Sequence, residues 1–188
     1  MNLGGSEMSE VPDEKDGRVL LSIARDAIVS HIKGSSPADF PIDSAALQGN
    51  QGCFVTIRQN EKLRGCIGSF VSDEPLCLLV REMAISAATR DPRFTPMTEK
   101  ELDDFTLEIS VLSPLSKVDA LEKIRVGEHG LYIVKGRNRG VLLPQVAVEY
   151  GWSRDEFLGH TCLKAGLAED AWRNECDIFV FTARIFSE

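Results

Sequence analysis

The segment KLRGCIGSF, residues 62–70, combines a thiol, a basic side chain and two glycines within an otherwise strand-like stretch. If it forms a regular strand, Arg64, Cys66 and Gly68 share one face because strand side chains alternate. Neighbours on one face lie about 6.6 Å apart, so the Arg64 guanidinium can reach the Cys66 sulfur. A nearby cation favours the reactive thiolate, and glycine leaves room for a ligand. The pattern predicts Cys66 as a nucleophile, with Arg64, Gly65 and Gly68 contacting the substrate.

A purely structural interpretation of the same segment stays open. Free cysteine usually behaves as a small buried hydrophobe. Glycine weakens a strand, but it lets another element such as a helix approach closely. A β-bulge at Gly65 or Gly68 would also reverse the assignment of faces. Residue types alone favour packing over chemistry at Cys66.

The segment RDPRF, residues 90–94, places charged side chains just after a predicted helix end. Two guanidinium groups form a fork that suits a carboxylate or a phosphate. Arg93 is therefore a candidate for binding a small anionic substrate, and Asp91 is a candidate proton carrier. The alternative is that ion pairs among Arg90, Asp91 and Arg93 fix the loop.

The segment HTCLKAG, residues 160–166, offers a histidine and a lysine one helical turn apart, on one face. His160 is a second candidate proton carrier, following the Cys–His logic of covalent catalysis, and Lys164 is a candidate substrate contact. Cys162 falls on the apolar stripe of the same helix, which predicts a structural role. The sequence does not establish that His160 meets Cys66.

Composition narrows the function classes. The 188 residues carry a net charge of -8, and the arginines are scattered singly, which disfavours binding to nucleic acid through phosphates. The five cysteines are an odd number without a CxxC pair, which argues against a disulfide framework and a zinc site. We therefore predict neither a metal nor a cofactor.

The chain shows no membrane or export signal. No run approaches the roughly 20 apolar residues that a membrane-spanning helix needs. The start is acidic and lacks the apolar core of a signal peptide. We expect a cytoplasmic protein with a flexible tail over residues 1–16.

Hydrophobic periodicity predicts both helices and strands. Helical patterns cover about 13–33, the stretch after Pro75 and a segment near 145–151, and capping boxes open helices at 98–101 and 153–156. Strand patterns cover 52–59, 62–70, 105–113, the two sides of the turn RNRG (137–140) and the closing stretch 177–186. Strands grouped as hairpins favour an α+β fold with antiparallel sheets and flanking helices.

Several blocks taken together resemble the AMMECR domain family. The hexapeptide block LRGCIGS (63–69) is followed in order by AATRDPRF (87–94), LEISVLSP (107–114), GVLLPQVAVEYGW (140–152) and HTCLKAGL (160–167). The joint occurrence of these blocks over residues 19–186 is highly specific.

The resemblance implies one AMMECR-type domain over 17–188 with two unequal, interleaved subdomains. The larger would draw on both chain ends, the smaller on the middle, and a cleft is expected near the hexapeptide. Gln145, in the fourth block, is a further candidate substrate contact.

Relatives in this family occur beside, or fused to, Memo-type and radical S-adenosylmethionine proteins, which implies such partners in a modification pathway. The family has no settled reaction, and a fold alone cannot supply one. Two functions therefore stay open. One is an enzyme or enzyme-like subunit acting through Cys66, and the other is a non-catalytic protein-binding adaptor.

Overall fold

A computed structural model describes residues 11–173 and 176–188. The chain divides into two compact units. The first runs to Val111 and includes Ile185–Glu188, and the second is Leu112–Arg184. The predicted tail lies outside the described residues up to residue 10, and a helix begins inside its predicted bounds, at Glu14.

Within the described residues the chain forms four α-helices and eight strands. In chain order these are α1 (Glu14–Lys33), β1 (Gln51–Gln59), β2 (Lys62–Val71), α2 (Leu76–Thr89), β3 (Thr106–Leu112), β4 (Ser116–Lys117), β5 (Gly130–Lys135), β6 (Asn138–Leu142), α3 (Pro144–Glu149), α4 (Arg154–Lys164), β7 (Asp177–Phe181) and β8 (Ala183–Ser187). The strands form two four-stranded sheets, so the predicted α+β class is confirmed.

The first unit packs α1 and α2 on a sheet of order β2-β1-β3-β8. Helix α1 begins with a capping box between Asp13 and Asp16, and it ends at Gly34, whose φ of 65° is a left-handed cap. The β1 side chains Cys53, Val55 and Ile57 are fully buried against the helices. The intervening β1 side chains therefore project from the other face of the sheet.

The second unit is built around a sheet of order β4-β7-β5-β6. Helix α4 lies close to β6, because a Cβ at Gly140 would stand 2.4 Å from the backbone oxygen of Thr161. The capping box of α4 pairs Ser153 with Glu156 as the sequence predicted. A core that includes the fully buried Phe157 and Leu158 fills the space between helix and sheet.

One strand prediction is wrong in its extent. The closing stretch 177–186 forms two strands, β7 and β8, which belong to different sheets. The break falls at Thr182, whose backbone N–H donates to the Ser113 hydroxyl at 2.9 Å and whose carbonyl accepts from the Ser113 N–H at 2.9 Å. Both β7 and β8 have strand-like sequences, so the local pattern of the sequence does not show that the chain changes sheet between them.

The β5–β6 turn also begins earlier than predicted. It is formed by Gly136, which has a φ of 59°, and Arg137, while Asn138–Leu142 is already strand. Among the described residues, no helix has both the length and the apolar character needed to cross a bilayer.

Candidate functional site

A β-bulge sets the position of Cys66. The hairpin turn consists of Asn60 and Glu61, with φ values of 50° and 63°. Arg58 pairs with Leu63, but Ile57 pairs with Gly65, which makes Arg64 the extra residue on β2. The bulge shifts the register by one residue, so that Gly65 rather than Arg64 lies opposite the buried Ile57.

Cys66 lies opposite Thr56 and faces away from the helices of the first unit. The Thr56 hydroxyl donates to Cys66 Sγ at 3.3 Å. The thiol is half-buried, whereas Cys53 on the core face of β1 is fully buried. Burial raises the pKa of Cys53 to about 12, so that thiol is unreactive at neutral pH. Cys66 therefore has a different environment from a sealed core cysteine.

The two glycines of the motif allow close packing. A Cβ at Gly65 would lie 2.1 Å from the carbonyl oxygen of Ala87 in α2, and one at Gly68 would lie 2.4 Å from the carbonyl oxygen of Cys53. Real Cβ atoms do not approach backbone oxygens that closely. Close backbone packing therefore explains why glycine occupies both positions, whether or not a ligand binds there.

Asp91 and Arg93 hold the backbone of Cys66, and we call this arrangement the Asp91 clamp. One Asp91 oxygen accepts from the Cys66 N–H at 2.8 Å and from Arg93 Nη2 at 2.7 Å. The other accepts from the Arg93 N–H at 3.1 Å and from Arg93 Nε at 2.9 Å. Arg93 Nη2 also donates to the Cys66 carbonyl at 3.3 Å. Both backbone groups of Cys66 are therefore fixed by side chains at the outer strand of the sheet.

The two charged side chains of the Asp91 clamp differ sharply in their exposure to solvent. The Asp91 side chain is 1% exposed, while the Arg93 side chain is 54% exposed. Hydrogen bonds from the Arg93 guanidinium, helped by the backbone N–H groups of Cys66 and Arg93, hold the pKa of Asp91 well below its usual range. The hydrogen bond to Asp91, together with the charge of that carboxylate and the neighbouring Cys66, raises the pKa of Arg93. Arg93 is therefore a cation in electrostatic contact with Cys66.

These values bear on the role predicted for Asp91. A carboxylate with a strongly depressed pKa and four hydrogen bonds stays ionised at neutral pH and is a weak proton acceptor. Asp91 is suited to positioning Cys66 and Arg93 rather than to carrying a proton.

Arg64 has other partners. Its Nε donates to Glu101 at 2.8 Å, and its Nη2 donates to the Thr95 carbonyl at 2.9 Å. Hydrogen bonding to Arg64 lowers the pKa of Glu101, which also caps its own 3₁₀ helix through Thr98. The Phe94 ring lies near both arginines, with its centroid 6.0 Å from the guanidinium carbon of Arg64 and 5.5 Å from that of Arg93. Arg64 therefore ties the hexapeptide strand to the loop that carries Arg93.

The remaining candidates belong to the second unit. The His160 ring stacks on Trp152 with centroids 3.9 Å apart, and Tyr150 stacks on the same indole at 4.9 Å. Lys164 is exposed and Gln145 is half-buried. The pairing of His160 with Cys66 joins residues of two units and stays a prediction.

Cys162 is buried in the core of the second unit, as predicted. Burial, together with the neighbouring Cys176, raises the pKa of Cys162 to about 11. Like Cys53, this thiol is protonated at neutral pH and suits packing.

Sequence reasoning missed two residues that shape the site. Thr56 lies opposite Cys66 only because of the bulge, since an unbroken two-residue hairpin would place Thr56 opposite Gly65. Glu101 was seen only as part of a capping box, although the same carboxylate binds Arg64. Among the described residues, no cluster of three or more His, Cys, Asp or Glu side chains is arranged to hold a metal ion.

Fold and site together define a class: a two-unit α+β protein whose outer β-strand presents a clamped, half-buried cysteine. The chain belongs to the AMMECR1 family, whose family model matches residues 21–186.

Relatives in archaea match over almost their whole length. Protein MK0488 of Methanopyrus kandleri is 41% identical over 191 residues, covering 96% of this chain and 92% of that protein. A protein of Methanothermobacter thermautotrophicus is 45% identical over 190 residues, covering 96% and 99%. The crystal structure of Uncharacterized Protein PH0010 from Pyrococcus horikoshii superposes with a TM-score of 0.84 at 39% identity, covering 95% of this chain and 93% of that one.

Proposed function

We propose that this chain is a cytoplasmic enzyme or enzyme-like subunit in which Cys66 attacks a small anionic substrate. The observation that carries the proposal is the Asp91 clamp, which fixes both backbone groups of Cys66 while the thiol stays half-buried. A nucleophile held at a fixed backbone position needs little reorganisation to react.

Each neighbour of Cys66 has a role in this proposal. The Thr56 hydroxyl donates to the sulfur and stabilises its thiolate. Arg93 keeps more than half of its side chain exposed while bound to Asp91, so its outer edge can receive a carboxylate or phosphate. Asp91 positions both groups and keeps Arg93 charged.

The chemistry is nucleophilic. The thiolate would attack an electrophilic carbon, form a bond to it and displace a leaving group with its electron pair. The residues around Cys66 require no cofactor for that step. We further propose, from the resemblance, that the reaction belongs to a modification pathway shared with Memo-type and radical S-adenosylmethionine proteins.

Site-resolved alkylation of the full chain tests this proposal. Folded protein is treated with iodoacetate or neutral iodoacetamide, and modification of each cysteine is followed by mass spectrometry. Cys66 is expected to react many times faster than Cys53 and Cys162. Relative to free cysteine, Cys66 should also favour the anionic reagent, because Arg93 binds its carboxylate.

Matched variants separate charge from structure. Arg93→Gln should abolish the preference for iodoacetate, Arg93→Lys should retain part of it, and Arg90→Gln on the same loop should leave it unchanged. Equal rates at Cys66 and Cys53, or a preference that survives Arg93→Gln, would remove the basis of the nucleophile proposal.

A non-catalytic, protein-binding adaptor is the second candidate. It is favoured by Arg64, whose guanidinium is committed to Glu101 and Thr95 within the chain. A Cys66→Ala variant that still bound Memo-type or radical S-adenosylmethionine partners and supported the pathway would favour the adaptor. Loss of pathway function with partner binding intact would favour the enzyme.

A further inference from the structure

Three of the cavities in the described part of the chain differ in the charge of the side chains that line them. A cavity of about 480 Å³ in the second unit and one of about 630 Å³ in the first are both predominantly acidic. The acidic side chains are Asp155, Glu156, Glu169 and Asp170 against Arg173 in the former, and Glu61, Asp103 and Asp104 against Arg58 in the latter. An anion would be repelled from both.

A third cavity, also in the second unit, is lined by more basic than acidic side chains. It measures about 440 Å³, and Lys117, Lys123 and His129 line it together with one acidic residue, Asp119. Two lysines and one aspartate are the lining side chains that carry a full charge, and Asp177, which pairs with Lys117, lies outside the lining. We call it the basic cavity.

The walls of the basic cavity are held by backbone pairing. β4 pairs with β7, with Ser116 opposite Val180, and the Ser113 hydroxyl accepts the Thr182 N–H at 2.9 Å. Val118 and Phe181 contribute an apolar part of the lining. A cavity of a few hundred cubic ångströms with apolar walls and a few polar groups suits a small organic molecule.

Three side chains that line the basic cavity can donate hydrogen bonds to an anion: Lys117, Lys123 and His129. His129 Nδ1 accepts the Arg125 N–H at 3.2 Å, so in the neutral ring the proton is on Nε2, and that nitrogen can only donate. Lys123 and Lys117 are more than half exposed, and each holds one carboxylate, Asp119 at 2.6 Å and Asp177 at 2.7 Å. Exposed ion pairs of this kind are weak, so either ammonium can exchange or share its partner with an incoming anion.

We propose that the basic cavity binds a small organic anion, a carboxylate or a phosphate monoester that carries a compact apolar body. Lys117, Lys123 and the His129 Nε2–H receive the anionic group, and Val118 and Phe181 contact the apolar body. All residues that line the site belong to the second unit, and the proposal does not depend on the function proposed for Cys66.

Titration of the full chain, followed by amide chemical shifts in NMR, tests the site with three probes that share a phenyl ring. These are phenyl phosphate, phenylacetate and neutral benzyl alcohol. We expect saturable shifts at residues 113–119, 129 and 180–182 with one or both anions below about 10 mM, and much weaker binding of the alcohol. Binding of phenyl phosphate alone would assign a phosphate site, and binding of phenylacetate alone a carboxylate site.

Charge-neutral variants identify the cavity. A Lys117→Gln/Lys123→Gln double variant should weaken anion binding at least about tenfold and leave benzyl alcohol binding unchanged. Lys135→Gln, an exposed lysine of the same unit, is the matched control and should bind as the original chain does. The same spectra report whether each variant is folded. Anion binding no tighter than alcohol binding, shifts centred elsewhere, or full affinity in the double variant would overturn the proposal.

Discussion

Cys66 and His160 lie in surroundings that are held together by different forces. Around Cys66, a carboxylate that is 1% exposed accepts four hydrogen bonds and ties a loop to the edge of a sheet. Around His160, rings stack at 3.9 Å and 4.9 Å, and the outermost, Tyr150, is 69% exposed. A buried charge is costly to leave without its partner, whereas a stacked ring loses only contact area. The two regions should therefore respond very differently to single substitutions.

The largest effect is expected for Asp91→Ala. The substitution removes four hydrogen bonds to a buried carboxylate, one of them from the Cys66 N–H, which should lower the free energy of unfolding by about 3–5 kcal/mol. Urea denaturation measures it. The control is Asp119→Ala, which breaks an ion pair with both side chains about 70% exposed and should barely move the midpoint. Similar midpoints for the two variants would contradict a stabilising clamp.

Gly65→Ala should come next. Its Cβ would meet the Ala87 carbonyl oxygen at 2.1 Å, so β2 and α2 must separate, at a cost of about 3 kcal/mol. Gly34→Ala is the comparison: open space surrounds that glycine, and the cost of about 1 kcal/mol comes from its left-handed backbone. Thermal unfolding compares the stability of the two variants. A smaller loss of stability for Gly65→Ala than for Gly34→Ala would show that β2 can move away from α2.

Lowering the pH should reduce the free energy of unfolding, because the carboxylate of Asp91 becomes protonated in the unfolded chain first. Its pKa is lower in the folded chain than in the unfolded chain, so its contribution is complete above the unfolded value near 4 and is lost as the pH falls below it. Between about pH 5 and pH 3 this amounts to about 1 kcal/mol. Urea midpoints across that range should fall less steeply for Asp91→Asn. If the midpoints of both proteins fell equally steeply with pH, carboxylates other than Asp91 would account for the acid sensitivity.

The smallest effect is expected at His160. His160→Ala removes one face of the stack on Trp152 and should cost about 1 kcal/mol or less. Tryptophan fluorescence and urea denaturation report the change. The variant should leave the alkylation rate of Cys66 unchanged, because the described partners of Cys66 all belong to the first unit. A tenfold slower alkylation would instead support the predicted Cys–His pair.

Local patterns predicted the fold class and most element positions. Helix α1, the capping boxes at Thr98 and Ser153, and the first hairpin all follow from signals a few residues long. The break at Thr182 was missed because it depends on Ser113, which is distant in sequence. A hydrogen bond between residues far apart in the chain does not change the local hydrophobic periodicity from which strands are predicted.

The candidate site was predicted only in part. The segments 62–70 and 90–94 were each identified, and the structure joins them through Asp91 and Arg93. Their contact could not be inferred, because no local rule relates a strand edge to a loop after a helix. The bulge at Arg64 could not be placed from the sequence, although it sets Thr56 opposite Cys66. The predicted contact of Arg64 with Cys66 is replaced by hydrogen bonds from the Arg64 guanidinium to Glu101 and to the Thr95 carbonyl.

The return of β8 to the first sheet has a consequence for biosynthesis. β8 lies beside β3, and Glu188 binds both the N–H and the carbonyl of Leu107 through its own side chain and backbone. On a ribosome, residues 112–182 emerge before that strand is available. The unit that starts first is therefore completed last, and a nascent chain holds an open β3 edge until residues 183–188 have left the exit tunnel.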